Sequence, residues 1–147
     1  MFREYALYAG IEFKLQLPEV PILFLSDKKM IALILNNLIG NNIRYLQGRN
    51  DILEKKISFS LISVEAFIII RISDNGPGFP QAVVDYLSQP FSKEKPYPGG
   101  GLGIGFSREC ANLINGDIRL SNIRPFKKGA SLEVTLRECR SEEIKTI

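Results

Sequence analysis

Three stretches of this sequence carry residues whose types and spacing could do chemistry. The first, Ile72-Ser73-Asp74-Asn75-Gly76-Pro77-Gly78-Phe79-Pro80, puts one carboxylate at the end of a β-rich run, just before glycines that let backbone approach a ligand closely. A carboxylate behind an apolar strand must be paired or engaged. As an acceptor, Asp74 suits the exocyclic amine of adenine, which guanine lacks at that position. Read alone, the same residues also form a turn in which Asp74 bonds local backbone and Gly78 serves only its backbone angles.

The second stretch, Gly99-Gly100-Gly101-Leu102-Gly103-Ile104-Gly105-Phe106, is a glycine cluster that flows into an amphipathic helix. Free N–H groups at such a helix start suit phosphate oxygens, and the glycines supply a hinge. No Gly-Lys-Ser/Thr follows, so it is not a Walker A loop, and no strand leads directly into it, so it is not a Rossmann fingerprint. The alternative is a glycine-rich surface loop. The third is a row of side chains, Asn37, Asn41, Arg44 and Tyr45, at i, i+4, i+7 and i+8 of a predicted helix, which places them on one side within about 100 degrees of arc. The amide oxygen of Asn41 is a suitable hard ligand for Mg²⁺, an ion that keeps several waters and bridges to nucleotide phosphates. Arg44 can neutralise phosphate charge, and Tyr45 offers a flat face to a purine. A buried helix whose asparagines bond to neighbouring loops accounts for the same row. Taken together, the three stretches suggest a nucleotide site with a mobile segment between its two walls.

The elements that must position these groups can be read from pattern. Ile11 to Leu17 alternates apolar and polar residues and predicts a half-buried strand ended by Pro18; Pro21 to Leu25 is a short apolar run that predicts another. Ser26-Asp27 supplies an N-cap for a long helix from Lys28 to about Leu46, apolar on most sides and therefore expected to be buried. Lys56 to Ile62 and Ala66 to Ile72 predict two adjacent strands, the second β-branched and central. Pro80 to Ser88 predicts a short helix, Gln89 to Gly101 a functional loop, and Ile104 to Ile114 a helix stopped by Asn115-Gly116. Asp117 to Asn122 and Ala130 to Leu136 close the chain as strands around the basic turn Arg124 to Lys128. The expected fold is α+β, a two-layer sandwich with helices on one face of a mixed sheet. Its expected organisation is an N-terminal segment over residues 1–10, one domain over 11–137 and a charged tail over 138–147.

Composition bounds the function. The chain has 147 residues, 45% hydrophobic and 24% charged, which fits one globular domain and excludes disordered, collagen-like and disulfide-scaffold classes. A net charge of +3 with scattered basic residues gives no footprint for nucleic acid. Cys110 and Cys139 stand in no metal-ligand spacing and are expected as free thiols in a reducing, cytoplasmic compartment. Met1 to Gly10 lacks the pattern of a secretory signal, and no apolar run approaches the roughly 20 residues of a membrane helix, so a soluble chain without membrane contact is expected. There is no histidine, which excludes histidine base catalysis, metal ligation and phosphorylation within these residues.

The asparagine helix, the Asp-x-Gly-x-Gly turn, Pro90-Phe91 and Gly-x-Gly-Leu-Gly-x-Gly, in this order, resemble the N, first glycine, F and second glycine boxes of the GHKL ATPase superfamily, and most of all the catalytic and ATP-binding domain of sensor histidine kinases. The resemblance covers about Asp27 to Leu136. It implies a Bergerat fold in which Asp74 binds the adenine amine, Asn41 holds Mg²⁺, and Asn37 lies one turn earlier near the reacting phosphate. It further implies that Arg44 contacts phosphate, Tyr45 stacks on adenine, and Gly76 and Gly78 shape the adenine turn. Gln89 to Gly101 becomes an ATP lid anchored by Phe91, with Gly99 in its glycine box and the Gly101-Leu102-Gly103 backbone closing on phosphates. Lys93 and Lys95 are candidate lid contacts.

Two positions depart from the family pattern: Asn42 stands where alanine is usual, and Gly100 where threonine is common. The lid is short, and the phosphoacceptor histidine with its dimerising helices is missing. The implied function is therefore the ATP-binding half of a histidine kinase, donating a γ-phosphoryl to a histidine-bearing dimerisation domain and, through it, to a response regulator. Alternatives are a small serine kinase of the anti-sigma-factor type, which usually carries glutamate where Asn37 stands, and a partner-binding module without phosphotransfer.

Overall fold

A computed structural model describes residues 10–97 and 103–139. Five strands, β1 (Ile11–Gln16), β2 (Lys55–Val64), β3 (Phe67–Asp74), β4 (Gly116–Leu120) and β5 (Ser131–Arg137), form one sheet in the order β1-β2-β3-β5-β4. Only the β1–β2 pair is parallel, and it is the pair whose connection contains the long helix α1 (Lys28–Gln47), as a parallel crossover requires. The other pairs are antiparallel, and β3 is the central strand. Two shorter helices, α2 (Gln81–Leu87) and α3 (Ile104–Leu113), complete the described elements.

Registry explains the layering. Ile57 stands opposite Asp74, Phe59 opposite Ile72 and Leu61 opposite Ile70, while Leu132, Val134 and Leu136 of β5 face Ile72, Ile70 and Ile68. Because side chains alternate across a strand, all of these share one face. The helices cover that face: Ile34, Leu38, Ile39, Ile43 and Leu46 of α1 and Ile104 and Ala111 of α3 join the same core. The opposite face is polar towards Asp74, with the Ser73 and Ser131 hydroxyls 2.6 Å apart and Arg71 paired to Glu133 at 2.9 Å, and carries exposed Ile62, Val64 and Phe67 at its other end. This is the expected α+β sandwich, its helices on one face of a mixed sheet.

Two expectations need correction. Residues 21–25 form no strand: Pro18 and Pro21 remove ladder donors, and the segment is instead tied at its end by the Cys139 N–H, which donates to the Leu25 carbonyl at 2.7 Å. Helix α1 is not enclosed on most sides, since Ala32, Leu33, Asn36, Arg44 and Tyr45 are exposed. The sheet covers a single stripe of it, and the other side stays open. Its predicted cap is present, the Asp27 carboxylate accepting from the Met30 N–H at 3.0 Å. No helix among the described residues is long and apolar enough to cross a membrane. Both cysteines are free and buried.

Candidate functional site

Strand β3 ends at Asp74, a residue only 5% exposed. Its Oδ1 accepts from the Gly76 N–H at 2.8 Å and from the Ala130 N–H at 3.4 Å. The turn anticipated from local sequence is thus real, yet it uses one oxygen; no described group bonds Oδ2. Burial pushes the carboxyl above its ordinary value, and the two N–H donors act against that rise. Asn75 fixes the turn from behind, its amide oxygen accepting from the Lys56 N–H at 2.8 Å while its amide nitrogen donates to the Glu54 carbonyl at 2.5 Å.

A cavity of about 110 Å³ opens against Asp74. Asn41, Asn42 and Tyr45 of α1 form one wall, Gly78, Phe79 and Pro80 another, and Ile104 and Ala130 close it. The carboxylate and two members of the predicted row, Asn41 and Tyr45, which lie far apart from it in sequence, therefore meet around one space, whereas Asn37 and Arg44 do not line it. Gly103 lies beside the asparagines: a Cβ added there would lie 3.5 Å from the Asn41 amide nitrogen and 3.9 Å from the Asn37 Cβ. Gly103 has φ +67 and precedes the first turn of α3, whose opening N–H groups have no partner further up the helix. Arg44 donates to the Asn41 amide oxygen and is itself exposed. Gly99, Gly101 and Leu102 lie outside the described residues.

The donor set fits Mg²⁺ bound with nucleotide. Asn41 offers a hard amide oxygen, which also accepts from Arg44, beside Gly103, whose φ of +67 disfavours any side chain. Gly76 does not line the cavity at Asp74. A Cβ there would meet Asp74 Oδ1 at 3.0 Å and Leu46 Cδ2 at 3.2 Å, so its lack of a side chain keeps the turn seated on α1.

Phe91 is also elsewhere. It lines a second cavity of about 320 Å³ with Tyr86, Lys93, Tyr97, Gly103 and Gly105, at the root of the predicted lid. Arg108 organises that root and was not singled out from the sequence. Fully buried on α3, it donates from Nε to Asp117 at 2.9 Å and from its two Nη groups to the Tyr86 and Gln89 carbonyls at 2.9 and 2.6 Å. Its guanidinium lies 4.8 Å from the Tyr86 ring centre and 5.9 Å from that of Phe91. Burial acts to raise the Asp117 carboxyl, but hydrogen bonds from Arg108, Asn112 and the Ile118 N–H outweigh it and hold the group below its ordinary value. An arginine in the middle of an amphipathic helix reads as solvated, and the only signal for its role was an aspartate nine residues later. Gly129 was missed too. At φ +131, a Cβ there would run into the Asp74 carbonyl oxygen.

Comparison with known proteins identifies the family and the fold. The family model described as histidine kinase-, DNA gyrase B- and HSP90-like ATPase matches residues 26–140. Sporulation kinase D of Bacillus subtilis is 29% identical over 139 residues, covering 92% of this chain and 25% of that protein. The signal transduction histidine-protein kinase BarA of Escherichia coli is 32% identical over 116 residues, covering 74% of this chain and 12% of BarA. The chain thus spans a quarter or less of these relatives. Among solved structures, the nucleotide-free catalytic domain of histidine kinase ThkA superposes with a TM-score of 0.71 at 22% identity, covering 93% of this chain and 85% of that domain. The Acinetobacter baumannii histidine kinase AdeS superposes with a TM-score of 0.66 at 24% identity, covering 95% of this chain and 60% of that one. At these identities the superpositions show the fold.

Proposed function

Because the chain belongs to the histidine kinase-, DNA gyrase B- and HSP90-like ATPase family, we propose that it is the ATP-binding catalytic domain of a two-component sensor histidine kinase, working in the cytoplasm. One observation carries the reading: Asp74, Asn41 and Tyr45 line a single cavity, and Gly103 closes on the asparagine row beside it. Asp74 accepts the adenine amine through the oxygen that the turn leaves unbonded, and Tyr45 stacks on the base. The N–H groups at the start of α3 and the Arg44 guanidinium take the phosphate oxygens, with Asn37 one turn before Asn41 facing the reacting end. Mg²⁺, held by Asn41 when bound, supplies charge neutralisation across the phosphate oxygens.

The reaction is a displacement at the γ-phosphorus. A histidine nitrogen attacks, the bond to the β-bridging oxygen breaks, and ADP leaves. With no histidine among its 147 residues, the chain receives that nucleophile from a histidine-bearing dimerisation domain, which passes the phosphoryl group on to a response regulator. The chain contributes position and charge, as phosphoryl transfer demands. The test is transfer of label from γ-labelled ATP, with Mg²⁺, onto an added histidine-bearing dimerisation domain of a related kinase. Label on that histidine is expected, and it should disappear with Asp74→Asn. ATP binding without transfer to any such domain would refute the kinase reading.

A further inference from the structure

We propose that Asn42 is a second base-reading residue, hydrogen-bonding a ring nitrogen of the purine beside the amine that Asp74 takes. Its position carries the argument. Leu38 and Leu46, one turn on either side along α1, are 2% and 0% exposed, so Asn42 occupies the middle of the helix stripe that faces the core. That stripe runs to the adenine turn, because Leu46 packs against Gly76, two residues beyond Asp74. Asn42 is half-buried, lines the same cavity as Asp74, and its side chain forms no hydrogen bond to another described residue. Its carboxamide is not sealed in the core but open to the cavity, where a ligand can replace the water that bonds it. The apolar neighbours Ile104, Phe79 and Pro80 offer no side-chain partner across the cavity.

The chemistry of the purine supplies one. The exocyclic amine of adenine, a donor, is flanked by the ring nitrogens N1 and N7, both acceptors. A carboxylate accepts from the first, and an amide N–H donates to one of the other two. Together they read a donor next to an acceptor, whereas guanine presents an oxygen at the amine position and a protonated N1. Asn42 would then add to adenine selectivity from a different element than the one that carries Asp74.

This inference rests on the nucleotide reading of the cavity, and the experiment separates the two. The full chain, with Mg²⁺, is titrated calorimetrically with ATP, 1-deaza-ATP and 7-deaza-ATP, as wild type, Asn42→Ala and Asn42→Leu, the leucine preserving volume on an already apolar stripe. Both variants are expected to bind ATP about ten-fold more weakly, a loss of one net hydrogen bond. For the analogue that lacks the contacted nitrogen, wild type and variants should bind alike, which also identifies N1 or N7 as the partner. Unchanged ATP affinity in the variants, or an equal loss toward all three nucleotides, overturns the role of Asn42 while leaving the nucleotide site intact. Failure of the wild type to bind ATP overturns both.

Discussion

Asp74 is built to be useful at a cost in stability. Its Oδ1 holds the turn while its charge sits in a buried place, so the folded chain binds the carboxyl proton more tightly than the unfolded chain does. Stability from this group is therefore greatest in acid and falls as pH rises from the unfolded value, about 3.9, through the raised folded one. Asp74→Asn keeps an oxygen for the Gly76 and Ala130 donors and removes the buried charge. At pH 7 the variant without nucleotide should melt no lower than wild type, yet lose the ATP-induced shift. Scanning fluorimetry across pH checks both, and a variant that melts well below wild type at pH 7 would contradict this account. Gly129 works from the other side of the chain, passing the Asp74 carbonyl where no Cβ fits. Gly129→Ala should lower stability by about 1–3 kcal/mol from backbone strain alone, with more from the clash, as measured by urea unfolding, and should weaken ATP binding. Neither Gly129 nor the Ala130 donor was legible in the sequence. Ala130 meets Asp74 across 56 residues, and only strand pairing brings them together.

The segment that leads into the proposed lid is rooted on helix α3 through Arg108, which holds the Tyr86 and Gln89 carbonyls. Breaking a buried ion pair by removing one partner leaves an uncompensated charge, so Asp117→Asn should cost about 3 kcal/mol in chemical unfolding. Asp117 is held below its ordinary value, which gives it the opposite sign to Asp74. Its contribution is present above the unfolded value and lost as pH falls through the folded one. Arg108→Met should unpin the Tyr86 and Gln89 carbonyls, raising protease cleavage within residues 89–97 and the KM for ATP more than it lowers kcat. A second probe acts on the lid's other contact: a Cβ at Gly105 would lie 2.9 Å from the Tyr97 Cβ. Gly105→Ala should displace the Tyr97 ring from Tyr86, now 5.1 Å away centre to centre, and produce a similar rise in KM. Unaltered cleavage and KM in both variants would show that these contacts do not set the lid.

At the scale of the molecule, one apolar sheet face holds three helices that each contribute to the cavity at Asp74, so binding of the proposed nucleotide should be felt by the whole fold. At about 100-fold excess of ATP over its Kd, with Mg²⁺, stabilisation of about 2.7 kcal/mol is expected, a rise of roughly 5–10 °C in Tm for a chain of this size. No rise would argue against the site. Nearly every element was readable beforehand, because strands such as Lys55–Val64 and the helix Lys28–Gln47 announce themselves by the period of their apolar residues and by a local cap. The run at Pro21 to Leu25 misled because its apolar residues looked like a strand, while two prolines and a tie to Cys139 decided otherwise. Local spacing likewise determined that Asn37, Asn41, Arg44 and Tyr45 share a side of one helix, since that follows from 3.6 residues per turn. Tertiary structure alone decided that Asn41 and Tyr45 of this side meet Asp74, that Gly129 passes behind it, and that Arg108 is buried rather than solvated. Those facts depend on contacts between residues distant along the chain, which sheet registry and helix packing create and which no local pattern encodes.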